Sequence, residues 1–266
     1  MNDIKMIVTD LDRTLLRSGS TISTYTAEVL SRCRARGIKV VFATARPERN
    51  VANFTKVIPP DAVISDNGAR AYAKGQTVLQ RDIPPAAVTA IVEQLLPVPG
   101  IRLHLNYERT SFTNHEEYHS WGSWGVEFSD LTAYDPNGVQ KIAIEAADAS
   151  LLSNINFEAF GCHFYGSQGE NWYMVMEASA TKWNAIQAVS AHFGIPIANI
   201  AAFGDDHNDI EMLRNCGVGI AVANAIDEAK AAADDICDSN DHDGAAKWLE
   251  HAVLNEEVRN EHHTIT

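Results

Sequence analysis

An alternation of short apolar runs with helical patterns constrains this 266-residue chain more than any other feature. Residues 4–8 are apolar but for one lysine and break off at Thr9-Asp10, as a strand buried on both faces does. Ser23 or Thr24 stands where it can cap a helix carrying Ala27, Leu30 and Cys33 on one face, and Gly37 lies where such a helix stops. A second β-branched run, 38–43, ends at Thr44 and is followed by a helical stretch over 47–56 and a third strand over 62–65. Beyond residue 179 the same style returns, with a helix at 181–193, a strand at 200–203, a helix at 208–215, a strand at 218–222 and a helix at 225–233. Strand-helix-strand repeats predict an α/β domain on a parallel sheet, in which ligands bind beyond the carboxyl ends of the strands.

The middle of the chain reads differently. Over 79–179 the strand candidates, such as 101–105 and 172–176, alternate and carry aromatic residues, which suits a sheet with one exposed face. Helical stretches at 84–96 and 149–157 accompany them, so this segment is expected to be an inserted α+β lid between core segments 1–78 and 180–266. The lid holds thirteen acidic residues against four basic ones, and the whole chain has a formal charge of −14. Such a balance argues against nucleic acid and anionic membrane surfaces as partners. Apolar residues at 45% and charged residues at 21% indicate a folded globular protein. No apolar run approaches the roughly 20 residues of a membrane span, and no secretory leader is evident, so cytoplasmic residence is expected. Cys33, Cys162, Cys216 and Cys237 are too scattered for a zinc site or a disulfide scaffold and read as buried thiols. Residues 255–266 form a polar tail expected to fray.

Two acidic clusters follow apolar strands. In Asp10-Leu11-Asp12-Arg13-Thr14, alternation along an extended chain puts Asp10 and Asp12 on one side, where their repulsion calls for a cation or a shared proton. A solvated turn is the plainer alternative. Gly204-Asp205-Asp206-His207-Asn208-Asp209 follows strand 200–203. In a parallel sheet both clusters converge on one edge, where carboxylates distant in sequence can share a hard cation such as Mg²⁺. Thr44 and Lys182 would complete a phosphoryl-transfer site by supplying a donor and a fixed positive charge. Taken singly, they also read as a strand-end cap and a solvated helical lysine.

The order D-x-D-x-T, Thr after an apolar strand, Lys, and G-D-x-x-N-D resembles the haloacid dehalogenase superfamily of phosphohydrolases across the whole chain. Ser65-Asp66-Asn67-Gly68-Ala69, Val222-Ala223-Asn224-Ala225 and Asp243-Gly244 are similar to segments of its Cof-type branch, subclass IIB. The resemblance implies a Rossmann-like parallel-sheet core with an inserted α+β type-two cap. It also implies a Mg²⁺-dependent phosphatase acting on a small phosphorylated metabolite, above all a sugar phosphate, through an aspartyl-phosphate on Asp10. Asp12 would serve as acid and base; the metal would be held by the Asp10 side chain, the Asp12 carbonyl and Asp205. Thr44, Ala45, Arg46, Lys182 and Asn208 would bind substrate, with Thr14 and Asp209 supporting the loop and the metal waters. A phosphosugar mutase or a weakly catalytic metabolite-binding protein is the alternative, and a monomer or small homo-oligomer is expected.

Some positions depart from the resemblance or extend it. Arg13 stands where the family usually has glycine, and it is strained if the backbone there has a positive φ. Trp183 replaces a small residue and is expected to pack under the lid. Arg46 could take a second anionic group of the substrate. His104, Asn106, Tyr107, His163 and Tyr165 on lid strands could face the pocket.

Overall fold

A computed structural model describes residues 3–117, 125–166 and 171–255. The chain begins with β1 (Met6–Thr9), α1 (Thr24–Ala35), β2 (Lys39–Ala43), α2 (Ala52–Val57), β3 (Ala62–Ser65), β4 (Arg70–Ala73) and β5 (Gln76–Gln80). It continues through α3 (Pro85–Leu95), β6 (Ile101–Asn106), β7 (Ser111–Thr113), β8 (Val126–Phe128), β9 (Lys141–Ala146), β10 (Cys162–Gly166) and β11 (Trp172–Glu177). It closes with α4 (Lys182–Phe193), β12 (Ile200–Gly204), α5 (Ile210–Asn215), β13 (Val218–Val222), α6 (Asp227–Ala232), β14 (Asp235–Cys237) and α7 (Gly244–Leu249). One compact unit comprises Met1–Arg46, Val51–Leu79 and Thr181–Thr266; the other comprises Pro47–Asn50 and Gln80–Ala180.

The first unit is built on an eight-stranded sheet in the order β14-β13-β12-β1-β2-β3-β4-β5. From β14 through β3 all neighbours run parallel, and β4 turns back antiparallel on β3. The apolar runs fill both faces. Ile7 packs with Val29, Leu30 and Cys33 of α1 on one side, while Met6 and Val8 pack with Ala185, Ile186 and Val189 of α4 on the other. Met6, Ile7 and Val8 are all fully buried, which is why the strand is an apolar run rather than an alternating one. Ser23, not Thr24, caps α1, its side chain accepting from the Thr26 amide at 3.0 Å. Trp183 packs against the core cluster of this unit.

The second unit is a six-stranded sheet, β10-β11-β9-β6-β7-β8, antiparallel except between β7 and β8. Leu103, Leu105, Ile142, Ile144 and Val175 form one face and bury Val88, Ile91, Val92 and Leu95 of α3. Strand alternation and cross-strand register therefore put Arg102, His104, Asn106, Ala143, Glu145, Trp172, Met174, His163 and Tyr165 on the other face. Tyr107 is a correction: it packs with the helix-side cluster, edge-on to Phe112, and its hydroxyl donates to the Asp135 carbonyl.

Two expected helices are also corrected. The stretch 149–157 holds only one tight turn, Ala149–Leu152, begun by Asp148 accepting from the Ser150 amide; a second turn follows at Glu158–Phe160. Ser150, Ser153, Asn154 and Asn156 favour such turns over a continuous helix. The stretch 47–56 is split into a turn at Glu48–Asn50 and α2, and Arg49 ties that turn into the second unit by donating to the Tyr107 carbonyl and the Ser111 hydroxyl. All four cysteines are buried and free. The expected fraying tail lies, but for Asn255, outside the described residues. Among those residues, no helix is long and apolar enough to cross a membrane.

Candidate active site

Parallel register sets the site. Thr9 lies opposite Phe203, and the Asp10 amide donates to the Phe203 carbonyl at 3.0 Å, so the chain leaves β1 and β12 at the same level. At this edge the Lys182 ammonium donates to Asp10 Oδ1 and to Asp209 Oδ1, each at 2.7 Å. Lys182 comes from the first turn of α4, whose start is fixed by Thr181 accepting from the Asn184 amide at 3.1 Å. Far from being solvated, Lys182 is only 1% exposed.

Asp209 reaches back along its own turn. Its Oδ2 accepts the amides of Asp205 and Asp206 at 2.9 and 3.2 Å. Gly204 makes this possible, since a Cβ there would lie 2.5 Å from that of Asp209. Asp205 is held in turn by the Thr14 hydroxyl, which donates to its Oδ1 at 2.7 Å. Gly68 is a second obligatory glycine: its φ is 101°, and a Cβ would meet the Thr181 carbonyl oxygen at 2.1 Å.

Burial raises the pKa of Asp10 well above the ordinary carboxyl value; Lys182 pulls it back, while Asp209 and Asp205 push it further up. Asp205 rises to about 6, chiefly by burial, against the Thr14 hydrogen bond. Burial works against the charge of Lys182, yet Asp10 and Asp209 outweigh it and hold the ammonium protonated. Asp10, Asp205 and Asp209 can each place one oxygen within 4.8 Å of the others. An all-oxygen donor set suits a hard divalent cation, which would relieve the crowding of negative charge. Both oxygens of Asp209 already accept hydrogen bonds, so Asp10 and Asp205 are the better ligands and Asp209 orients Lys182.

Asp12 does not join this cluster through its side chain. After Asp10 the chain takes an extended residue at Asp12 and a left-handed one at Arg13 (φ 60°, ψ 3°), which breaks the alternation expected of a strand. The Asp12 carboxylate, about half exposed, is gripped instead by Arg46, whose Nε and Nη2 donate at 2.7 and 2.6 Å. The Arg46 guanidinium, expected to await a second substrate anion, is committed to Asp12 and lies 5.2 Å from the Phe54 ring centroid. Left-handed backbone at Arg13 carries the expected strain, about 1–2 kcal/mol.

Thr44 is fully buried at the end of β2. Its hydroxyl accepts from the Arg46 amide at 3.1 Å, which leaves the hydroxyl proton to donate, and exposed Ala45 lies between the two. Asn208 donates to the Asn67 side chain at 2.8 Å, and the Asn67 amide donates to the Thr44 carbonyl, so these residues brace the loop after β2. No role for Asn67 or Asn224 follows from the sequence patterns alone. Asn224 donates to the Arg13 carbonyl at 2.8 Å and accepts from the Asn240 amide at 3.0 Å, clamping the strained turn. Arg17 pairs with Asp243 nearby, which fixes the chain beyond that turn. The only signal for Asn67, Asn224 and Asp243 was their place in motif-like segments, and Arg17 and Asn240 had none.

The sequence pattern of the haloacid dehalogenase-like hydrolases matches residues 7–249. The HMP-PP phosphatase of Cronobacter sakazakii is 28% identical, over 84% of this chain and 85% of its own. The 5-amino-6-(5-phospho-D-ribitylamino)uracil phosphatase YitU of Bacillus subtilis is 26% identical, over 92% and 96%. Among solved structures, the HAD subclass IIB sugar phosphatase BT4131 superposes with a TM-score of 0.80 at 24% identity, over 93% of this chain and 98% of that one. TM0651 of Thermotoga maritima gives 0.82 at 23%, over 93% and 97%. Both structural likenesses speak to the fold: a parallel α/β core with an inserted α+β unit. The match over residues 7–249 spans both units and every residue of the buried cluster, and the chain belongs to the haloacid dehalogenase-like hydrolases, a family of enzymes.

Proposed function

We propose that this hydrolase is a Mg²⁺-dependent phosphatase that frees inorganic phosphate from a small phosphorylated metabolite, with a sugar phosphate as the favoured class. The observation that carries the reading is the buried Asp10 carboxylate, held on one oxygen by Lys182 at 2.7 Å beside Asp205 and Asp209. A carboxylate fixed in this way is oriented for attack by its second oxygen. Asp10 forms a bond to phosphorus as the ester oxygen departs, giving an aspartyl-phosphate. Lys182 and the Thr44 hydroxyl take phosphoryl oxygens, and Asp12 gives a proton to the departing alkoxide. Asp12 then takes a proton from the water that releases phosphate from Asp10. In both steps Asp12 must free an oxygen from the Arg46 grip. Mg²⁺, held by Asp10 and Asp205, would supply positive charge to the phosphoryl oxygens.

We assign substrate choice to the second unit, whose polar sheet face carries His104, Asn106, His163 and Tyr165. The relatives support a small phosphorylated metabolite: one is named for HMP-PP and another for a compound bearing a phosphorylated ribityl chain. The test is phosphate release from sugar phosphates, nucleotides, pyridoxal phosphate and an aryl phosphate, with Mg²⁺ and with EDTA. Release is expected to need the metal and to fall at least about 10³-fold in Asp10→Asn while the circular dichroism spectrum is kept. Full activity in Asp10→Asn would sink the reading.

A further inference from the structure

Arg13 is a cation tethered at the rim of the carboxylate cluster. Its Nε lies 3.7 Å from Asp205 Oδ2, the oxygen not taken by Thr14, and its Nη2 reaches the Asn224 carbonyl at 3.5 Å. The backbone cannot swing away freely, because Asn224 also holds the Arg13 carbonyl and is itself held by the Asn240 amide. A side chain in a strained left-handed position is thus kept against one of the two carboxylates best placed to bind a divalent cation.

We propose that Arg13 is a built-in counter-cation that weakens divalent metal binding at Asp10 and Asp205, so that occupancy of the site follows the free metal concentration. The inference rests on the metal reading above. Two effects act together: the guanidinium neutralises Asp205 in the metal-free protein, and it repels a divalent ion when one binds. Arg13 is 66% exposed, so solvent screening keeps the effect modest. Removing the charge should tighten binding by roughly threefold to tenfold, and the gain should shrink as salt rises.

The experiment is Mn²⁺ binding to the full chain without substrate, followed by the loss of the free-ion electron paramagnetic resonance signal at low and high salt. Arg13→Gln keeps the side-chain length but removes the charge, and is expected to tighten binding at low salt. Arg13→Lys should stay within about twofold of wild type. Arg13→Gly removes the strain as well, and provides a second uncharged variant should Arg13→Gln fail to fold. Unchanged or weaker binding in the uncharged variants, or a gain that persists undiminished at high salt, overturns the proposal; a gain in Arg13→Gly alone attributes the effect to strain and also overturns it. Asp205→Asn separates the two readings. If it binds Mn²⁺ as wild type does, the metal reading fails and takes this inference with it; if it loses the ion while Arg13→Gln matches wild type, only this inference fails.

Discussion

Lys182 in the first unit and His104 in the second are both basic side chains with at most 5% exposure, and they stand in opposite charge states. Burial disfavours the charged form of each. At Lys182, two carboxylates at 2.7 Å overcome that penalty and the ammonium stays protonated. At His104 burial, with His115 and Arg102 adding repulsion, lowers the pKa to about 3 and leaves a neutral ring tilted 41° to that of Trp172, the centroids 4.8 Å apart. The same low dielectric thus stores charge where opposite charges converge and expels it where like charges add to burial.

The sharpest way to break this contrast is Lys182→Met. It strands Asp10 and Asp209 without their cation, and should cost about 3–5 kcal/mol at pH 7, read as a lowered melting temperature by calorimetry. A melting temperature equal to wild type would mean that these two ion pairs do not stabilise the fold.

The converse experiment forces charge onto His104. Its folded pKa of about 3 lies below the unfolded value of about 6.5, so between those values the unfolded chain binds more protons. Stability is therefore full above about pH 6.5 and falls as the pH is lowered toward 3, by roughly 3–5 kcal/mol at the limit. Urea unfolding at pH 7, 5 and 4 should show that loss, and His104→Gln should flatten it. An identical slope in both proteins would place the acid sensitivity elsewhere.

The smallest effect separates the two helix caps of the first unit. Thr181→Ala and Ser23→Ala each remove one side-chain acceptor at a helix start, at about 1 kcal/mol apiece. Only Thr181 begins the helix that aims Lys182. Turnover should fall further in Thr181→Ala than in Ser23→Ala at equal loss of stability, and equal turnover would show that the lysine does not depend on its cap.

Much of the core was legible because its signals are local. A strand buried on both faces must be apolar throughout, as residues 6–9 nearly are, and a helix start must satisfy its free amides, as Ser23 and Thr181 do. The 149–157 stretch was misread because its apolar residues have helical spacing, while serine and asparagine spend their side chains on turns. Tyr107 was misread for another reason. Which face of a strand is buried depends on register, and register is fixed by neighbours far along the chain.

The sequence by itself determined the order of the motifs, the parallel sheet that brings their strand ends to one edge, and so the meeting of Asp10, Lys182, Asp205 and Asp209. Those are consequences of strand polarity and apolar patterning. Only the tertiary structure decided that Asp12 turns to Arg46, that Asp209 is occupied on both oxygens, and that Arg13 lies against Asp205. Those outcomes turn on a few backbone dihedrals and on which donor comes within about 3–4 Å of which oxygen, distances over which electrostatic energy changes steeply in a buried site.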